Sequence, residues 1–175
     1  MDILISSNLE RMLYMLSGDD TQVAAWQDSL KKTGKFTVSD EIKAKITENF
    51  VGGCASDEET LATIKHVFDE YGYLMDTHTA VAWRALEKYR LLTSDETFTI
   101  VLSTASPYKF CDSVLEALED KKQTETEPFA LLRALNEKTN APIPERMLAL
   151  ETMPIIHGDV IPADTMEEAV VEYLK

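Results

Sequence analysis

The chain is predicted to be the mostly helical part of an α/β structure, one whose parallel sheet is incomplete within these residues. Three observations lead there. The run from Thr97 to Leu102, TFTIVL, is β-branched and aromatic throughout and reads as a strand. Ile3-Leu4-Ile5 is a second, shorter aliphatic run that feeds a polar turn. Nearly everything between and after them repeats its apolar residues at helical spacing. Two strands do not make a stable sheet, which needs about three or more. The remaining strands are therefore expected upstream, in a longer polypeptide.

The elements follow in order. Ser6-Ser7-Asn8 opens a helix carrying Leu9, Met12, Leu13 and Leu16, and Gly18 ends it. Asp19 and Asp20 cap a second helix with Val23, Trp26 and Leu30, closed by Gly34 in the position glycine favours. Phe36-Thr37-Val38 reads as a short strand. Ser39 then caps a helix with Ile42, Ile46 and Phe50, broken by Gly52-Gly53. Ser56 and Glu59 have capping-box spacing at the head of a helix through Leu61, Ile64, Val67 and Tyr71. Asp76 and Thr77 start the next, with Ala80, Val81, Trp83 and Leu86 on its apolar side. After the Thr97–Leu102 strand, Ser106 and Pro107 stand at N-cap and N1 of a helix through Val114, Leu115 and Leu118. Lys121 to Glu127 is a solvated link. Phe129 to Leu135 and Glu145 to Leu150 are helices parted by Pro142 and Pro144. Ile155-Ile156 reads as an edge strand, and Asp164-Thr165 precedes a last helix. The count is about nine helices.

Composition narrows the function. Of 175 residues, 45% are hydrophobic and 27% charged, which is ordinary for a globular chain. Thirty-one acidic against 17 basic residues give a net charge of -14, which repels nucleic-acid phosphates and anionic membrane faces. Neither is expected as a partner. Cys54 and Cys111 have no CxxC spacing, and no histidine pair has metal spacing, so no metal site is expected. No segment reads as a signal peptide or membrane span, and the default compartment is the cytoplasm.

Two junctions of strand and helix could carry chemistry: Ser6-Ser7-Asn8, and Ser103-Thr104-Ala105-Ser106. Ligands of open α/β sheets bind beyond the carboxyl ends of strands, where helix N-termini offer free amides to a small anion. Helix capping is the competing role for Ser6, Ser7 and Ser106. Thr104 precedes the cap and adjoins Ala105, where close approach is easy. His78, among Asp76, Thr77 and Thr79, either faces a pocket or caps. His66 and His157 read as surface residues.

In this order and at these intervals, MDILISSNLERML, YLMDTHTAVAWRALEKY and IVLSTASPYKF resemble the C-terminal part of bacterial and fungal threonine synthases. The closing PIPERMLALETMPI run and the acidic helix after it are similar too. The resemblance spans nearly the whole chain and implies a pyridoxal-phosphate (PLP) lyase of the type II, tryptophan-synthase-β-like fold. Such an enzyme converts O-phosphohomoserine and water to threonine and phosphate. It implies Thr104 as the hydroxyl approaching the cofactor's pyridine nitrogen, with Ser103 beside it. Lys109, His78, Ser6, Ser7 and Asn8 are the substrate-side candidates.

Two positions depart from the family pattern: Thr77 stands where proline is common and Ser106 where histidine is frequent. The larger departure is the missing F-K-D motif, which carries the cofactor's lysine; Lys35-Phe36 and Lys109-Phe110 read in the opposite order. The cofactor is therefore not expected to be covalently bound here, no catalytic residue is assigned within the chain, and the chain alone is expected to be inactive. The organisation implied is one C-terminal segment, 1–175, of a larger enzyme domain. Within it, residues of about 19–95 form a helical insertion-like part, 97–120 a strand-turn-helix facing the cofactor cleft, and 128–175 the C-terminal helices. Exposed sheet edge and apolar surface make self-association possible. The alternatives are a non-catalytic interaction module built on this fold, and a piece of another PLP lyase such as a threonine/serine dehydratase relative.

Overall fold

The computed structural model describes residues 5–175. Among them the regular structure is helical, and the chain divides into two compact units, one reaching Glu125 and one covering Thr126–Lys175.

The first unit holds α1 (Ser7–Ser17), α2 (Asp20–Thr33), α3 (Asp40–Asn49), α4 (Asp57–Tyr71), α5 (Thr77–Thr93) and α6 (Cys111–Glu119). The starts are set locally. Asp19 accepts from the Gln22 amide at 2.9 Å, and Ser39 from the Ile42 amide at 3.3 Å. Each satisfies an amide that the first helical turn leaves without a partner. α2 stops where Gly34 turns left-handed, at φ 75°, and returns its amide to Leu30 O.

Helices α1, α2 and α3 share a small core of Leu13, Val23, Trp26 and Ile42, covered by Leu16, Phe36, Val38 and Ile46. The Phe36 ring stacks on Trp26 with centroids 6.2 Å apart. Residues 36–38 are thus not a strand: their apolar side chains cap a helical core, and their backbone has no strand beside it among the described residues.

Helix α4 packs against both α5 and α6. Ile64, Val67, Val114 and Leu115 are buried almost completely, each such side chain contributing about 1.5–3 kcal/mol. Thr60 and Thr63 are buried as well, and their hydroxyls donate back to Ser56 O and Glu59 O at 2.8 and 2.7 Å. The capping box is present, with Ser56 N donating to Glu59 and Glu59 N to Ser56. Glu59 also receives Lys88 Nζ at 2.6 Å and the Arg84 guanidinium at 3.2 Å, so the box fastens α4 to α5. Lys88 reaches on to Cys54 O at 3.0 Å. A Cβ built on Gly53 would lie 2.7 Å from Ala85 Cβ, so only glycine lets residues 53–56 approach α5 this closely.

The second unit contains α7 (Pro128–Thr139), α8 (Glu145–Ala149) and α9 (Met166–Tyr173). Glu127 caps α7, accepting from the Phe129 and Ala130 amides. Asn136 ties the end of α7 to Ala141 O at 2.7 Å, and Arg133 pairs with Glu151. α9 starts at Thr165 without a side-chain cap.

The expected strands do not form among the described residues. Thr97 to Leu102 runs without regular structure, and Phe98, Ile100 and Leu102 are 88%, 72% and 72% exposed. β-propensity is a preference for packing against neighbouring strands, and none lies alongside among the described residues. Ile155-Ile156 is likewise exposed and irregular. Most of the Ile3-Leu4-Ile5 run lies outside the described residues. The helix expected from Pro107 divides into a 3-10 turn, Pro107–Lys109, and α6. No helix among the described residues is long and apolar enough to cross a membrane.

Two outcomes follow from the α4–α5 contact. Gly53→Ala should cost about 1–3 kcal/mol in urea denaturation, whereas Gly52→Ala, in open space, should stay within about 0.5 kcal/mol. Lys88, then the Ser56 amide, hold the Glu59 carboxyl down from 4.5 to about 2. Its stabilisation is complete above pH 4.5 and is lost as pH falls towards 2. The difference in Tm between wild type and Glu59→Gln should therefore be widest above pH 4.5 and close towards pH 2 in thermal melts.

Candidate functional site

The start of α5 is the most densely bonded place among the candidate residues. Its N-cap, Asp76, is wholly buried. One carboxylate oxygen accepts from the His78 amide at 2.9 Å and the Thr79 amide at 3.3 Å. The same oxygen lies 3.2 Å from His78 Nδ1. The other oxygen meets the Thr79 hydroxyl. Burying a carboxylate is tolerable because donors and the positive end of a 17-residue helix answer it.

From Thr79 the connection leaves the helix. Its Oγ1 stands 3.3 Å from Ser103 Oγ, joining α5 to the turn that precedes Pro107. Ser103 and Thr104 are both exposed on that turn. Ser106 caps the 3-10 turn by accepting from the Tyr108 amide at 3.3 Å, and Tyr108 is buried beneath it. Lys109 is exposed at the end of the turn. Phe110 comes next, its ring 4.9 Å from the His78 imidazole and tilted by 56°.

A cleft of about 530 Å³ opens beside this pair, lined among others by Thr60, Leu61, His78, Val81, Phe110 and Glu116. Its walls are apolar with hydroxyls and carboxylates at intervals, a lining suited to a small polar molecule. Cys111, buried at the start of α6, is no nucleophile: burial pushes its thiol up to about 11, and its Sγ–H donates to Tyr108 O. Among the described residues no group of three or more His, Cys, Asp or Glu side chains is arranged to hold a metal ion.

The structure thus draws His78 and Ser103 together through Asp76 and Thr79, with Thr104 and Lys109 on the turn that follows. Ser6 and Asn8 make hydrogen bonds at the start of α1, of which Ser7 is the first residue: Ser6 Oγ accepts from the Leu9 amide at 3.4 Å, and Asn8 Oδ1 accepts from Arg11. None of the three lines the His78 cleft. Sequence reasoning read Asp76 only as a cap and passed over Thr79 and Phe110. An Asp three residues before a Thr at a helix start was the available signal for the first pair. Nothing local signalled that Thr79 meets a residue 24 positions away.

Replacing Asp76 with alanine should cost about 3 kcal/mol or more, since the cap is lost and buried donors are left unanswered. Asp76→Asn, which keeps one acceptor oxygen, should cost less. Urea denaturation monitored by far-UV circular dichroism measures both.

Comparison with known proteins places this geometry in context. A family described as "Threonine synthase, C-terminal" matches residues 79–170. The threonine synthase of Saccharomyces cerevisiae is 39% identical over 133 residues, covering 67% of this chain and 26% of that protein. The crystal structure of threonine synthase from yeast superposes with a TM-score of 0.71 at 31% identity, over 99% of this chain and 35% of that one. The PLP-bound threonine synthase from Brucella melitensis superposes with a TM-score of 0.54 at 29% identity, over 81% of this chain and 34% of that one. The chain spans about a quarter to a third of the length of these relatives.

Proposed function

This chain belongs to the threonine synthase C-terminal family, and we propose that it supplies one wall of the cofactor and substrate cleft of a threonine synthase. The reaction would convert O-phosphohomoserine and water to threonine and phosphate. The observation that carries the reading is the exposed hydroxyl of Thr104, on a turn tied to the buried Asp76 cap.

That turn fits PLP on the side of its pyridine nitrogen. The nitrogen needs a neutral hydrogen-bond donor, and an exposed threonine hydroxyl on a braced backbone is one. Ser103 is the neighbouring candidate for holding the ring. When bound, PLP supplies an electron sink for the substrate's carbon skeleton. The residues of this chain bind and orient. Thr104 would donate to the ring nitrogen and Lys109 would offer a positive charge to a phosphate or carboxylate; His78 and Phe110 line the neighbouring cleft, which Ser103, Thr104 and Lys109 do not line.

The α/β character belongs to the whole enzyme in the same reading. Thr97–Leu102 would be a strand of its sheet, and the exposed Phe98, Ile100 and Leu102 would be covered by the neighbouring strands and helices. The lysine that carries the cofactor would come from outside these residues, because no F-K-D motif occurs among them.

The test is phosphate release from O-phosphohomoserine by the full-length enzyme containing this chain. Wild type should release phosphate only with PLP; a wild type that binds PLP but leaves this substrate intact would sink the proposal. Thr104→Val should lower kcat about 10- to 100-fold, as expected for one lost hydrogen bond of about 1–3 kcal/mol.

A further inference from the structure

The hydrogen-bond chain from Asp76 to the turn has a direction. A carboxylate accepts and a threonine hydroxyl has a single proton. The Thr79 proton is taken by Asp76, so the 3.3 Å contact with Ser103 is made by the Ser103 hydroxyl donating to Thr79 Oγ1. Ser103 therefore spends its proton inward and turns only lone pairs outward, beside Thr104.

Mechanically, the same chain holds the turn in place. Residues 94–104 carry no regular structure, and the apolar side chains of 98, 100 and 102 are exposed. Arg90 pins the near end of that stretch, at Thr97 O and Thr99 Oγ1. Tyr108, buried, pins the chain beyond the turn. Between those two pins, the Thr79–Ser103 hydrogen bond joins the turn to α5.

We propose that Asp76 and Thr79 are positioning residues. They hold Thr104 at a fixed place over the start of α5 and leave Ser103 as a pure acceptor next to it. This rests on the reading of Thr104 given above for its consequence in the reaction, but the anchoring itself is a property of the 175-residue chain and is measured there.

The experiment is NMR relaxation on the 175-residue chain without cofactor, for wild type, Thr79→Val, Thr79→Ser and Ser103→Ala. The wild-type Thr104 amide should show an order parameter near about 0.85, the value of rigid backbone, and Thr79→Val and Ser103→Ala should bring it below about 0.6. Thr79→Ser keeps the hydroxyl and should stay rigid. Ser103→Ala leaves the buried Asp76–Thr79 pair intact, so its Tm should match wild type even where Thr79→Val lowers stability. In the full-length enzyme, Thr79→Val should weaken PLP affinity or lower kcat about tenfold with KM held within about twofold, and Thr79→Ser should restore both. A Thr104 as rigid in Thr79→Val and Ser103→Ala as in wild type would overturn the anchor, whatever the enzyme does. A loosened turn with unchanged kcat and PLP affinity would keep the anchor but overturn the positioning role. A loosened turn in an enzyme inert towards O-phosphohomoserine would leave the anchor standing and remove the proposed reaction instead.

Discussion

A carboxylate taken out of water must have its lone pairs answered, and at Asp76 that requirement organises the start of α5. Two backbone amides, an imidazole nitrogen and a hydroxyl converge on one fully buried side chain. Each of these donors belongs to the first turn of α5, so the carboxylate fixes the helix start and the side chains there in one stroke. The amides would otherwise face an apolar interior, which costs more than an ordinary hydrogen bond returns. The direction in which His78 and Thr79 point is therefore a by-product of solving a burial problem.

Helices α4 and α5 are joined by the short connection 72–76, at whose end Asp76 caps α5. Further along, Glu59 completes the cap of α4 and grips Arg84 and Lys88 of α5, while Gly53 lets the preceding chain lie against Ala85. A helix pair held this way presents α6 with a fixed surface, and the His78 cleft lies along it. The Asp76 cap is buried, whereas the Glu59 clamp is partly solvated and should weaken in acid and at high ionic strength.

What the sequence made legible was the part of the structure written in neighbouring residues. The caps at Asp19, Ser39, Ser56 and Asp76 stand where expected, because a cap is an interaction across three positions. The apolar stripes of α1 to α6 follow for the same reason. The strand readings failed because β-propensity is met only by a neighbouring strand, and none lies alongside among the described residues. Phe36 and Val38 have strand-like composition yet serve as a lid on Trp26, a use that β-propensity does not distinguish. At the site, His78 and the Ser103-Thr104 turn stood out through resemblance and through their place before a helix. Their connection through Thr79 was not visible, since it joins residues that share no periodicity. The strand-to-helix junction also singled out Ser6 and Asn8, each of which makes a hydrogen bond within α1.

The exposed stretch around Ile100 has a consequence for how the chain behaves in solution. Six residues rich in β-branched and aromatic side chains, without a proline or a charge, have the composition that stacks into cross-β ribbons. Asp95 and Glu96 stand directly before it, and acidic residues in that position act as gatekeepers against such stacking. The wider acidic excess reinforces them by mutual repulsion between molecules. That protection is colloidal and fades near the isoelectric point of about 4.6. A lower net charge near that pH would leave the exposed stretch less protected against association between molecules.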